Sequence, residues 1–338
     1  MQKNNSEKNQ EELFDLTPID LINDSFIDAL LDNTFVIFKS SNEIIYLVYS
    51  TENNSLTSYD IKLNKKLNSI CKAHEEHISN LRHFFNKNDN NDLILSISGA
   101  DNNIKLWKII NLECLLNLKK INKRGELFSA CFLNDNNQNY IITSNYSINS
   151  GPIKVFDFKG EEKKEINDSS YRTSFIDTYY DKDLSTNFII TGNDDYVKSY
   201  DFNKNKNYHK YIDENKCKEI SSIIIDTSEK NKNIIKLISS SNDGFVRIWN
   251  FHSGNMLTKI KVASRYSYGI CLWDDNHLLV GCGDSKIRII DLNEEKVIKE
   301  LTGHENDVLT IKTFILPKYG KCIISQGIEI KLWIKKSN

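Results

Sequence analysis

The chain has 338 residues, 39% hydrophobic and 27% charged, with Phe 16, Tyr 15 and Trp 4; this is the composition of a folded protein with a sizeable core and excludes a disordered one. Its formal net charge of -2 supplies no global attraction for nucleic acid or anionic lipid, so any such contact would have to be local. No apolar run approaches the roughly 18 residues of a membrane span, and the polar residues 1–12 do not read as a cleavable signal peptide, so the expected location is cytoplasmic or nuclear.

Residues 1–12 read as a disordered tail and residues 13–335 as one folded domain. Apolar residues from Leu13 to Leu31 come first. Beyond them, seven short segments share one form, in which aliphatic and polar residues alternate up to a bulky one: LTSYD at 56–60, IKLWK at 104–108, IKVFD at 153–157, VKSYD at 197–201, VRIWN at 246–250, IRIID at 287–291 and IKLWI at 330–334. Each has the period of two expected of a strand. The bulky positions, Tyr59, Trp107, Phe156, Tyr200, Trp249, Ile290 and Trp333, are separated by 48, 49, 44, 49, 41 and 43 residues. A period of this size marks a repeat architecture, and its variation falls in Asn/Lys-rich stretches that read as solvated loop tips. Most segments follow an apolar run and a tight polar turn, as in LILSISGADNN and IKLISSSNDG. A further apolar strand, such as ISNLRHFF, LFSACFL, ISSIIID or VLTIKTF, lies upstream.

Seven cysteines (Cys71, Cys114, Cys131, Cys217, Cys271, Cys282, Cys322) are scattered with no C-x-x-C pair and read as small core hydrophobes in a reducing compartment. No nucleophile elbow, Walker loop, H-E-x-x-H or paired-cysteine metal site is present. His74, His77 and His83 are spaced three and six along a loop and a strand, which suits no helix-borne metal site. The chain is expected not to be an enzyme, with no catalytic residue, metal or cofactor.

At these repeats the chain resembles the WD-repeat (Trp-Asp repeat) β-propeller family, over roughly residues 34–334. Gly303-His304 and Ala73-His74 match the family's dipeptide before the first strand of a repeat, and Asp101 and Asp243 stand six residues before Trp107 and Trp249. There are departures: Ile290 replaces the usual Trp, Gly327 replaces the turn Asp of the last repeat, and most repeats lack the His. The resemblance implies an all-β, seven-bladed β-propeller of four-stranded antiparallel blades. The sequence stops after the third strand of the last blade, so an N-terminal strand is expected to close the ring. A strand within 13–22 is favoured, although Ile19, Ile22, Phe26 and Leu30 also fit one helical face. The resemblance further implies a structural hydrogen-bond relay through His74, Ser96, Asp101 and Trp107, with Asp243 and Trp249, and His304 and Trp333, in corresponding places. Arg247 and Arg288 read as third-strand side chains snorkelling to solvent.

In such a ring the connections into each first strand gather around one mouth of the channel. Four cations there, Arg124, Arg172, Lys218 and Arg265, lie 48, 46 and 47 residues apart, at one station in successive blades. Guanidinium forks onto carboxylate or phosphate, and Tyr171, Tyr266 and Tyr268 offer aromatic contact. Glu75-Glu76 and Glu305-Asn306-Asp307 make the remaining arc acidic. The expected function is a scaffold that binds partner proteins or peptides, with an acidic or phosphorylated segment on the cationic arc. The plainer reading has these cations paired with Glu126 and Glu219 or capping loop carbonyls. A phosphoinositide- or membrane-binding propeller is one alternative, but its F-R-R-G signature is absent. A substrate adaptor of a ubiquitin ligase is another. Other proteins are the expected partners, with no small-molecule substrate and no DNA; membrane attachment is not expected, and a monomer is favoured.

Overall fold

The computed structural model describes residues 14–22, 34–51, 53–122, 126–144, 152–167, 172–215, 217–228 and 234–335. Every regular element among them is a strand. The first, β1 (Leu16–Ile22), stands alone in sequence. Blade 1 is β2 (Phe35–Lys39), β3 (Ile45–Thr51), β4 (Ser55–Asp60) and β5 (Lys65–Ile70); blade 2 is β6 (Asn80–Asn86), β7 (Asn91–Ser98), β8 (Asn103–Lys108) and β9 (Glu113–Leu118). Blade 3 is β10 (Ala130–Asp135), β11 (Gln138–Thr143), β12 (Ile153–Asp157) and β13 (Glu162–Ile166); blade 4 is β14 (Phe175–Asp181), β15 (Thr186–Gly192), β16 (Tyr196–Asp201) and β17 (Lys206–Ile212). Blade 5 is β18 (Ile220–Asp226), β19 (Lys236–Ser241), β20 (Phe245–Asn250) and β21 (Met256–Lys261); blade 6 is β22 (Ser267–Leu272), β23 (His277–Cys282), β24 (Lys286–Asp291) and β25 (Lys296–Thr302). Blade 7 takes β26 (Thr310–Leu316), β27 (Gly320–Gln326) and β28 (Ile330–Lys335) from the end of the chain and β1 from its beginning. All pairings are antiparallel, and the seven repeated segments are the seven third strands.

Burial follows position in the blade. Second strands such as β15 and β23 are buried throughout because neighbouring blades cover both faces, so their sequences are continuous apolar or small-residue runs. Fourth strands such as β5 and β9 have no fully buried residue and mix polar with apolar side chains. The core is a series of inter-blade layers. One holds Ile94 and Trp107 of blade 2 against Val48 and Leu56 of blade 1; another holds Phe188 and Tyr211 of blade 4 against Leu237 and Trp249 of blade 5.

The bulky residue of the repeat has a backbone signature as well. In blades 1 to 6 the third and fourth strands slip register immediately before it, at Ser58/Tyr59, Leu106/Trp107, Val155/Phe156, Ser199/Tyr200, Ile248/Trp249 and Ile289/Ile290. A bulge there sharpens the local twist at the place where the large side chain is seated between blades.

Ring closure pairs β1 with β28 over Leu16↔Lys335 to Ile22↔Ile330, which makes the closing element a strand. Phe26 and Leu30, the other half of the helical alternative, lie outside the described residues, as do residues 1–12 of the expected tail and residue 13. Pro18 sits opposite Trp333 on the outermost strand, where the missing N–H costs no ladder bond. Phe14, fully buried just before β1, meets Trp273 of blade 6 edge-on at 5.7 Å. The Gln326 amide donates to the Thr34 hydroxyl across the blade 7 to blade 1 seam. Gly303 is where the chain passes closest to the closure: a Cβ there would lie 2.7 Å from Pro18 and 3.1 Å from the Trp333 ring.

Tight turns in this chain use Asn where glycine would be expected. Asn54, Asn64, Asn90, Asn102 and Asn205 all have left-handed backbones, a conformation Asn tolerates better than most residues. The Asn-rich stretches are therefore turn chemistry in addition to solvated tips. Cysteine burial differs from the expectation: Cys131, Cys217, Cys282 and Cys322 are buried, but Cys71 and Cys114 are exposed and Cys271 is half-buried, so three of the seven are not core residues.

Phe14→Ala empties a buried site shared by blades 6 and 7. It should cost about 3–5 kcal/mol, read by urea denaturation, and should raise protease sensitivity near both ends of the chain.

Candidate functional site

Where the first-strand connections meet the blades, polar side chains are held between sheets, and the blades solve the burial of these groups in two ways. In blade 2 the Trp107 indole donates to Ser96 Oγ (2.7 Å), His74 Nε2 lies 2.8 Å from the same oxygen, and His74 Nδ1 lies 3.3 Å from Asp101 Oδ2. With the ring proton on Nδ1, each group donates to the next, from indole to hydroxyl to imidazole, and from Nδ1 to the carboxylate. Asp101 also accepts the Asn103 N–H (2.9 Å). Burial would raise its pKa, but the His74 and Ser98 side chains and the Asn103 N–H together bring it below the ordinary value.

Blade 7 builds the same relay with a different acid. Trp333 donates to Ser325 Oγ (2.7 Å), His304 Nε2 is 2.6 Å from that oxygen, and Nδ1 faces Glu329 Oε1 at 2.9 Å. Gly327 occupies the usual acid position because there is no room there: a Cβ would come 2.8 Å from Asp307 O and 3.2 Å from His304 Nδ1. The longer Glu329 reaches in from two residues further on. Its only signal in the sequence is an acid within the same turn as the missing Asp.

Blades 5 and 6 use guanidinium in place of imidazole. Asp243 does not join a relay to Trp249; the indole donates to Ser239 Oγ (3.2 Å), and Asp243 instead binds Arg247. Arg247 is wholly buried, with Nε donating to Asp213 Oδ2 (2.8 Å) and Nη1 to Asp243 Oδ1 (3.2 Å). Lys259 also donates to Asp213 (2.6 Å). In blade 6, Arg288 forks onto both oxygens of Asp284 (2.8 and 2.6 Å) and donates to Glu300 (2.9 Å). Neither arginine snorkels to solvent. An unpaired buried charge would be far costlier than the ordering of these carboxylates. The paired spacing Asp243/Arg247 and Asp284/Arg288, four residues apart across a turn, is a signal the sequence carried.

Of the residues expected at the channel mouth, Arg124 and Tyr171 lie outside the described residues. Lys218 and Arg265 are exposed. Arg172 is half-buried and acts electrostatically on Asp194, whose pKa burial raises and Arg172 lowers. Tyr266 is 42% exposed, and its ring lies parallel to Tyr268 at 5.9 Å. Tyr268 in turn donates to Asp307 (3.0 Å), tying this aromatic pair to the acidic loop of blade 7. Arg172 and Tyr266 both have left-handed backbones (φ 43 and 46), strain that residue types alone do not reveal. Deeper in, Arg82 of blade 2 donates to the carbonyls of Ala130 (3.3 Å) and Ile176 (3.4 Å), bridging to blades 3 and 4. Among the described residues, no three His, Cys, Asp or Glu side chains converge so as to hold a metal ion.

Seven antiparallel four-stranded blades, the last closed by pairing of β1 with β28, define a seven-bladed β-propeller. Residues 65–108 match the WD40 family, described as WD domain, G-beta repeat, within a chain that folds as a seven-bladed β-propeller. The U3 small nucleolar RNA-associated protein 21 homolog of Schizosaccharomyces pombe is 28% identical over 118 residues, which is 34% of this chain and 12% of that protein. WD40 propellers generally act as protein-interaction scaffolds and are typically non-catalytic.

Two measurements test the relays. Asp101→Ala and Glu329→Ala should each destabilise by about 1–3 kcal/mol, by leaving a buried imidazole N–H unpaired, while Glu329→Gln should cost less; calorimetry reads both. Burial favours a high pKa for Asp213, but Lys259, the Asn215 N–H and Arg247 hold it down to about 2. Its stabilisation is complete above the ordinary carboxylate pKa of about 4 and is lost as pH falls towards 2. Asp213→Asn should therefore be less stable at pH 7, by roughly 3 kcal/mol, and should lose less further stability than wild type between pH 4 and 2 in acid titrations followed by circular dichroism.

Proposed function

We propose that this propeller is a scaffold whose channel mouth takes an acidic or phosphorylated segment of a partner protein. The observation that carries the reading is exposed Arg265 directly preceding Tyr266 of the stacked Tyr266–Tyr268 pair, with exposed Lys218 and half-buried Arg172 in the corresponding connections of the two preceding blades. Planar guanidinium and aromatic rings are the groups most often found at the energetic centre of interfaces. Left-handed backbones at Arg172 and Tyr266 hold their side chains at the rim at a cost in strain, which supports a role beyond packing. Arg124 and Tyr171 complete the proposed arc by their sequence station.

The likeness to a protein named for association with small nucleolar RNA favours a second reading, in which the scaffold serves a ribonucleoprotein assembly through a protein neighbour. The net charge of -2 argues for protein contacts there over direct RNA contacts.

Lys218→Glu combined with Arg265→Glu reverses the exposed part of the arc. Affinity purification from the native source with quantitative mass spectrometry should show at least one partner reduced about tenfold or more, with others unchanged. Identical partner recovery from wild type and variant would dismiss the mouth as the binding surface. Partner loss that follows ribonuclease treatment would favour the second reading.

A further inference from the structure

Strands alternate in direction, so the turns between first and second strands and between third and fourth strands all lie at the end of the ring opposite the mouth. At that end, the seam between blades 7 and 1 opens into two adjoining cavities of 640 and 500 Å³. They share Lys62 of the β4–β5 turn and Pro317 of the β26–β27 turn, so together they form one groove, from the bottom of the disc up its flank to Ile19 and Leu21 of the closing strand.

Two features set this groove apart. The first is apolar exposure. Ile315, which lines it, is 69% exposed, and Leu63, between Lys62 and Asn64 at its edge, is 66% exposed; these are the two most exposed large apolar side chains among the described residues. The second is charge. Both acids that line the groove are already paired, Glu43 with Lys39 and Asp20 with Lys331. That leaves Lys62, Lys318 and Lys321 as surplus cations, of which Lys321 donates to the Trp273 carbonyl and Lys318 lies over the Tyr319 ring at 4.9 Å.

We infer that this groove is a second docking site, for a partner segment whose apolar residues are flanked by carboxylates. Lysine ammoniums with no arginine fork suit single carboxylates around an apolar anchor. The concave shape favours a peptide over a lipid surface, which a convex apolar tip would enter more readily. The inference goes beyond the mouth reading and stands apart from it, because the two surfaces lie at opposite ends of the ring.

The test is to pan a phage-displayed random peptide library on the full chain, synthesise the recovered peptides, and measure their binding by fluorescence polarisation. The expected result is a consensus of apolar residues bracketed by Asp or Glu, bound roughly tenfold more weakly by Lys62→Glu/Lys318→Glu and by Ile315→Ser, with folding checked by thermal melts. Binding should be unchanged in Lys218→Glu/Arg265→Glu, which separates this site from the mouth. Recovered peptides that lack carboxylates, or whose binding is indifferent to the groove variants, would overturn the inference. So would retention on phosphatidylserine vesicles that the groove variants abolish, with no peptide recovered. Occupation by the chain's own acidic and apolar residues 23–33 would appear as peptide binding only after Phe26, Leu30 and Leu31 are changed to Ser, and that result also overturns it.

Discussion

Both faces of every blade in this protein are apolar near the channel, and a four-stranded sheet cannot bury both faces by itself, so no blade is stable without a neighbour on either side. That requirement sets the rest of the architecture. It makes the second strands continuous apolar runs, such as LLVGC in β23, and it forces the ring to close, since an open end would leave one face in water. Closure falls to β1, and the layer that includes Phe14, Leu16, Trp273 and Trp333 is where the seal is made. The outer edges, which closure leaves unpaired, are guarded by Lys on β5, β13, β17, β21 and β25 and by Pro18 on β1.

Stacking blades this closely traps polar atoms between them, and the chain shows two solutions of equal logic. Blades 2 and 7 use a chain of hydrogen bonds from Trp through Ser to His, ending on a carboxylate. Blades 5 and 6 use an arginine on the third strand, clamped by an acid from its own turn. The clamp in blade 5 also reaches Asp213, contributed by the connection from blade 4, so it fastens two blades together. Buried ion pairs are poor sources of net stability but strongly disfavour alternative packings that would separate them. Here the pair Asp213–Arg247 is made only between blades 4 and 5.

Most of the fold was legible because it is written seven times. Period, alternation and turn residues each repeat, so a departure in one unit is outvoted by the others, and Ile290 in place of Trp did not hide blade 6. The polar details were less legible, since they depend on reach and space. The crowding at Gly327 that hands its role to Glu329, and the burial that turns Arg247 from a surface residue into a core ion pair, exist only once the neighbouring backbone is in place. The groove at the seam was invisible for the same reason: its walls come from residues near 20, 62 and 317, which no local pattern connects.

The pairing of the first strand with the last has a consequence in time. Thr17 and Ile334, joined by a hydrogen bond, are 317 positions apart. During synthesis, Leu16–Ile22 leaves the ribosome long before Ile330–Lys335 exists, so the sealing contact is among the most distant the chain makes and cannot form before those last-blade residues have emerged. Until then, six finished units stand beside an incomplete seventh whose edge is open to any passing strand. The open edge of that seventh unit, and not the finished ring, is therefore the part of the molecule exposed to mispairing while the chain is being made.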